Sequence, residues 1–236
     1  MANKKASVDT VRTGIEEITT QGDLLYRGAT DLKHLPKGTS GQTLKMGSGN
    51  EPEWVTVDAS SGGAWNFISS GTASSSTSVE FTSGINSTYD TYMLTITSLV
   101  ASSSSLRPFL QVSVGGTFAT ANYHYYVNGY GSGGGAVDAG AAYGESMRLQ
   151  GNTNMHSDTA KTGSGIIYFH NPASTTTYSN FHWKYTFWHL NDVVMNDHGS
   201  GLYNGSTGAI DGVRLLAGAS GNFTSGTFRL YGLAKS

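Results

Sequence analysis

From residue 65 onward, apolar and polar side chains alternate with a period of two, the spacing that sends successive residues of an extended chain to opposite faces. In 106–114, Leu110, Val112 and Val114 face one way while Arg107, Gln111 and Ser113 face the other. In 178–190, Phe181, Trp183, Tyr185 and Phe187 share a face opposite His182, Lys184 and Thr186. Comparable runs at 65–69, 77–82, 91–100, 122–127, 145–150, 164–170, 209–217 and 226–233 complete the predicted series of strands. Turn-rich stretches separate them and no helical period interrupts them. The pattern predicts an all-β fold, with residues 64–236 forming a two-sheet, jelly-roll-like sandwich. Residues 129–144, 151–163 and 191–208 read as its long loops, where a rigid sandwich usually carries recognition.

The front of the chain is patterned differently. Val8, Val11, Ile15 and Ile18 follow spacings of three, four and three, which suits two coiled-coil heptads or an extended β-branched arm. Either form leaves an apolar stripe that its own short segment cannot bury, so residues 1–20 are expected to be an anchoring arm docked on another chain. Residues 22–57 read as two hairpins. Leu24 to Tyr26 and Leu32 to Leu35 flank one turn, and Gln42 to Met46 and Glu53 to Val57 flank the turn Gly47-Ser-Gly-Asn-Glu51. Units below about 40 residues seldom enclose a core without metals, disulfides or oligomerisation. Self-association through Leu24, Leu25, Tyr26, Leu35, Leu44 and Trp54 is therefore expected of a stalk over 21–58.

Composition narrows the function. The chain has 236 residues, of which 13% are charged, against about a quarter in ordinary soluble domains. Seven of the 14 basic and eight of the 16 acidic residues fall within 1–63, and Asp58-Ala-Ser-Ser-Gly-Gly-Ala64 reads as a flexible linker. With a net charge of −2, nothing favours nucleic acid or anionic membranes. Apolar runs stop far short of the ~20 residues that span a bilayer. No apolar stretch follows the basic residues of the N-terminus, so no export signal is expected. Absence of Cys excludes disulfides, thiolate chemistry and Cys-type zinc sites.

The chemical motifs point away from catalysis. Gly129-Tyr-Gly131-Ser-Gly-Gly134 satisfies GxGxxG, but a glycine-rich stretch follows where a nucleotide site needs a helix. There is no GxSxG elbow, HExxH or EF-hand pattern, and Glu80, Asp90 and Glu145 stand apart from any carboxylate partner. His182 and His189 are seven residues apart and would point to opposite faces of one strand, with His124 and His170 on others. A metal shared by copies of one His on a symmetry axis stays open. Asp192, Asn196 and Asp197 form an oxygen-rich segment that reads as a solvated acidic turn before a Ca²⁺ loop. No cofactor is expected. The cluster Tyr123, His124, Tyr125, Tyr126 and Tyr130, closed by Tyr143, resembles the Tyr-plus-small-residue chemistry of binding loops. Tyr123, Tyr125 and Tyr126 suit the sandwich interior equally well. The candidate receptor contacts are Tyr126, Tyr130, Tyr143, His156 and Tyr203.

Gly22-Asp-Leu-Leu-Tyr26, then Leu35-Pro36-x-Gly38-x-x-Gly41-Gln42-x-Leu44, then Pro52-x-Trp54 resembles a module that recurs in bacteriophage tail-fibre and related virion proteins. Ser225 to Leu233 is similar to the closing strand of sandwich heads in phage fibres. The resemblance implies a homotrimer in the virion, assembled in the host cytoplasm, and the sparse charges and absent motifs add the expectation that it is not an enzyme. Its N-terminus would meet other virion proteins and its head a host-surface glycan or protein, with no nucleic acid and no membrane insertion. A capsid head fibre or decoration protein is the alternative within the virion. A lectin-like module or glycan-active enzyme is the alternative outside it.

Overall fold

The computed structural model describes residues 18–56, 64–218 and 221–235. Of the predicted anchor, Val8, Val11 and Ile15 lie outside the described residues, as does the side chain of Tyr143, and Ile18 is exposed. The fold is all-β: about 57% of the chain is strand, and the described residues contain no helix. Two compact units divide at Gly63/Ala64.

The first unit holds two hairpins. Strand β1 (Leu24–Arg27) pairs antiparallel with β2 (Leu32–Leu35), and β3 (Gln42–Met46) with β4 (Pro52–Thr56). Asn50 supplies a positive φ of 58° in the second turn, a conformation Asn tolerates better than most residues. Leu24 faces Leu35, and Leu44 faces Trp54. No described residue between 18 and 56 is buried.

The second unit is a sandwich. Its strands are β5 (Trp65–Ser76), β6 (Ser78–Phe81), β7 (Thr91–Ala101), β8 (Phe109–Val114), β9 (Thr117–Phe118), β10 (Tyr123–Gly131), β11 (Ala136–Gly144), β12 (Met147–Arg148), β13 (Gly163–His170), β14 (Asn180–Trp188), β15 (Val194–Tyr203), β16 (Ile210–Leu216) and β17 (Phe223–Leu233). One sheet has eight strands in the order β11-β10-β15-β14-β13-β7-β17-β5. The other runs β12-β8-β16-β6, with β9 paired to β8. One apolar cluster joins them, drawing Leu94, Phe169, Trp183 and Phe228 from the first sheet and Leu110, Val112, Val213 and Leu215 from the second. β14 buries Phe181, Trp183, Tyr185 and Phe187 and exposes the residues between them, the alternation its sequence shows.

Two of the predicted loops are strands. Residues 129–144 carry the end of β10, a tight turn and β11, and residues 191–208 carry β15. On its core side β15 places Met195, Asp197, Gly199, Gly201 and Tyr203, so small and polar residues break the apolar period. They make room for bulk from elsewhere. A Cβ on Gly199 would enter the Trp183 ring, and one on Gly201 would lie 2.7 Å from the Met147 sulfur. β11 is an edge strand, and its inward Val137 and Ala139 pack only partly against the core.

Candidate functional site

The register of the eight-stranded sheet aligns one outward side chain per strand into a continuous row. Phe67 faces Tyr231, Tyr231 faces Met93, and Met93 faces Tyr168. Tyr168 then faces His182, His182 faces Ser200, and Ser200 faces Tyr126, which meets Gly140 on the edge strand. Phe67 and Tyr126 are more than half exposed, at 58% and 56%. The row carries no formal charge.

Ring contacts hold it together. Phe67 meets Tyr231 edge-on at 5.8 Å, Trp65 lies 5.9 Å from Tyr168, and the Tyr168 ring stacks on His182 at 4.8 Å. The sequence spreads these rings over four strands, and cross-strand pairing makes them neighbours. The outward row on one side (Trp65, Thr91, His170, Asn180, Leu202, His124) is also uncharged. Charges fall on the other side, where Arg229 faces Thr95, Ile166 faces Lys184, and Asn128 faces Asp138. Two cavities open beside the central row. One of about 430 Å³ is lined by Thr95, Ile166, Lys184 and Thr186. The other, of about 530 Å³, is lined by His124, Asn180, His182, Ser200 and Leu202.

His170 and His182 stack at 4.9 Å, with Nε2 of the first 3.0 Å from Nδ1 of the second. One nitrogen donates and the other accepts, so the pair needs at least one neutral ring. Thr91 Oγ1 sits 3.3 Å from His170 Nδ1. Desolvation, and then the charge of His170, hold the His182 pKa below its ordinary value. At the far end the Asp138 carboxylate raises the pKa of the Tyr126 phenol.

The predicted contact residues are divided by this geometry. Tyr126 belongs to the row, and Tyr130 is exposed four residues further along β10, on the same face. Tyr203 is not a surface contact. It is only 8% exposed, its ring lies 5.3 Å from the buried Tyr123, and the inward parity of β15 places it in the core. His156 sits elsewhere, where its Nδ1 accepts from Asp158 N–H and its Nε2 lies 3.3 Å from Asp192 Oδ1. Lys161 also pairs with Asp192, and that hydrogen bond leads the causes holding the Asp192 carboxyl low.

The oxygen-rich segment does not gather. Asp192 occupies an exposed turn, and Asn196 and Asp197 are successive residues of β15 on opposite faces. Among the described residues no group of three or more His, Asp or Glu is placed to hold a metal. The GxGxxG segment ends β10 and enters the turn to β11. Trp65, Phe67, Tyr168, His170 and Tyr231 escape the sequence reading as contacts. Their outward parity was visible, but alignment across strands is a property of register alone.

In the hairpin unit, Leu24, Leu25, Tyr26, Leu35 and Trp54 are half-buried and Leu44 is exposed. Trp54 Nε1–H donates to Pro36 O at 2.8 Å, and a Cβ on Gly38 would lie 2.6 Å from its ring. Glu51 accepts from Tyr26 Oη–H at 3.0 Å and from Lys33 Nζ–H. The Lys33 bond and then the Tyr26 bond lower the Glu51 pKa. Asp23 accepts from the Thr20 and Lys37 backbone N–H groups and lies 3.1 Å from His34 Nε2. Residues of the sequence module thus hold the two hairpins to each other.

Comparisons with family models, with curated proteins and with solved structures returned no match.

Proposed function

We propose that this chain is a structural fibre or spike protein of a bacteriophage virion. Its hairpin unit would assemble several copies, and its sandwich would meet the host surface. The observation that carries the reading is that the described residues of the hairpin unit enclose no core. Leu24, Leu25, Leu35, Leu44 and Trp54 lie in a segment where no described residue is buried. Apolar surface left in water costs about 25 cal/mol per Å², so a segment built this way gains by wrapping other copies of itself. The GDLLY…LPxGxxGQxL…PxW resemblance supports the virion and a trimer. The sandwich contributes an outward face of rings and hydrogen-bonding groups suited to adhesion.

The exposed aromatic face equally suits a free lectin-like module, and oligomerisation separates the two readings. Sedimentation of the full-length protein is expected to show a trimer, and sedimentation of residues 64–236 a smaller species. Gold-labelled antibody on intact particles is then expected to mark the tail. Label on capsomers would move the protein to a head fibre or decoration role. A single-copy full-length protein with no particle label would leave the lectin reading in its place.

A further inference from the structure

We propose that the outward face of the eight-stranded sheet binds a neutral polysaccharide chain lying across the strands, along the central row. The proposal rests on the adhesion reading above and moves recognition from the loops to the sheet. The chemistry of the face selects the ligand. A sugar ring offers a C–H face, which stacks on an aromatic ring, and a rim of hydroxyls, which needs donors and acceptors at its edge. The row supplies both, with Phe67, Tyr231, Met93 and Tyr168 toward one end and His182, Ser200 and Tyr126 toward the other. Phe67 and Tyr126 are separated by six inter-strand spacings of about 4.8 Å, roughly 29 Å along the sheet, a length that calls for a chain and not a single sugar.

Charge excludes the competing ligands. Nucleic acid and anionic polymers need a track of cations, whereas the central row and one neighbouring row have none. Lys184 and Arg229 stand on the other side of the row, and Asp138 shares that side with them. A protein partner would need a desolvated apolar centre. Here the middle of the row sets Met93 and Tyr168 beside the His182 imidazole, which pairs with His170 of the neighbouring row and which a polyol can hydrogen-bond without dehydrating. The two cavities beside the row give the hydroxyl-bearing edges of such a chain somewhere to sit.

The test uses the full-length protein on an array of purified bacterial surface polysaccharides, both neutral and anionic. Neutral polysaccharides should be retained. Titration of a retained one should show at least a tenfold loss of affinity for Tyr168→Ala and for Tyr126→Ala. Phe118→Ala, on the other sheet, should leave affinity unchanged, with melting temperature reporting that each variant is folded. His182→Gln should retain binding better than His182→Ala, because an amide keeps the donor and acceptor. Retention of anionic polysaccharides alone, retention of nothing, or full affinity in both tyrosine variants would each overturn the proposal. So would dissociation of the oligomer by Tyr168→Ala, which would make this face a contact between copies. Polysaccharide binding without particle label would refute the virion reading and leave this one standing. Particle label with an empty array would do the reverse.

Discussion

Asp197 lies fully buried on the core side of β15. Its Oδ2 accepts from the Gly151 N–H at 2.6 Å, while Oδ1 has no hydrogen-bond partner. Gly129 faces it across the strand pair, where any Cβ would collide with the carboxylate. Burial pushes its pKa up to about 6, against the opposing effect of the Gly151 bond. A carboxyl raised in the folded state favours folding when protonated. Its contribution is full below the unfolded value near 3.8 and is lost as pH rises through about 6. His182 and His189, both lowered by desolvation, act in the opposite sense and withdraw stability as pH falls below 6.5. Comparing Asp197→Asn with the parent at each pH cancels those histidines. The variant should be more stable by on the order of 1–3 kcal/mol at pH 8, with the advantage gone near pH 4. Parallel denaturant midpoints across that range would show that Asp197 does not titrate there.

At the scale of elements, β15 shows how a strand can vanish from an apolar pattern. Its core side carries glycine where neighbours press in, and the Trp183 ring occupies the space above Gly199 while its Nε1–H donates to Leu149 O at 2.9 Å. Gly199→Ala should therefore destabilise the sandwich by about 3 kcal/mol, comparable to a core overpacking, as read by the shift in thermal midpoint. A change below a few tenths would mean that Trp183 has room to move. Strand β14 lies at the other extreme, because four large residues at strict period two admit no other face. In the hairpin unit the element-level bond is Trp54 against Pro36 and Gly38. Trp54→Ala should lower the dissociation midpoint of the full-length oligomer, at a cost of roughly 3–5 kcal/mol for a ring buried between copies. An unmoved midpoint would place that ring in solvent.

For the whole molecule, the two units predict separable behaviour. The sandwich has its own continuous core, with both sheets contributing fully buried residues, and the hairpin unit has none among its described residues. Residues 64–236 alone should melt cooperatively at close to the midpoint of the sandwich transition in the full chain. Residues 18–56 alone should show no cooperative transition at micromolar concentration unless copies associate. A sharp, concentration-independent melt of that short piece would remove the physical reason for assembly. The geometry of the outward row asks little of loop conformation, since backbone pairing holds it from strand to strand.

Fold class was legible from the chain because alternation is a local property: Leu110, Val112, Phe181 and Trp183 disclose their face through the residues beside them. The hairpins were legible for the same reason, through Gly and Asn at their turns. Tyr130 was readable as exposed, Tyr126 suited the interior equally well until the structure placed it outside, and Tyr203 was misread because its parity depends on a strand its own residues conceal. Long-range pairing supplied everything else. Register decides that Tyr168, His170, His182 and Tyr126 share one surface, that Asp197 is sealed against Gly129, and that the glycines of β15 are space for other strands' side chains. No run of neighbouring residues encodes those facts, because each depends on where a strand many residues away comes to rest.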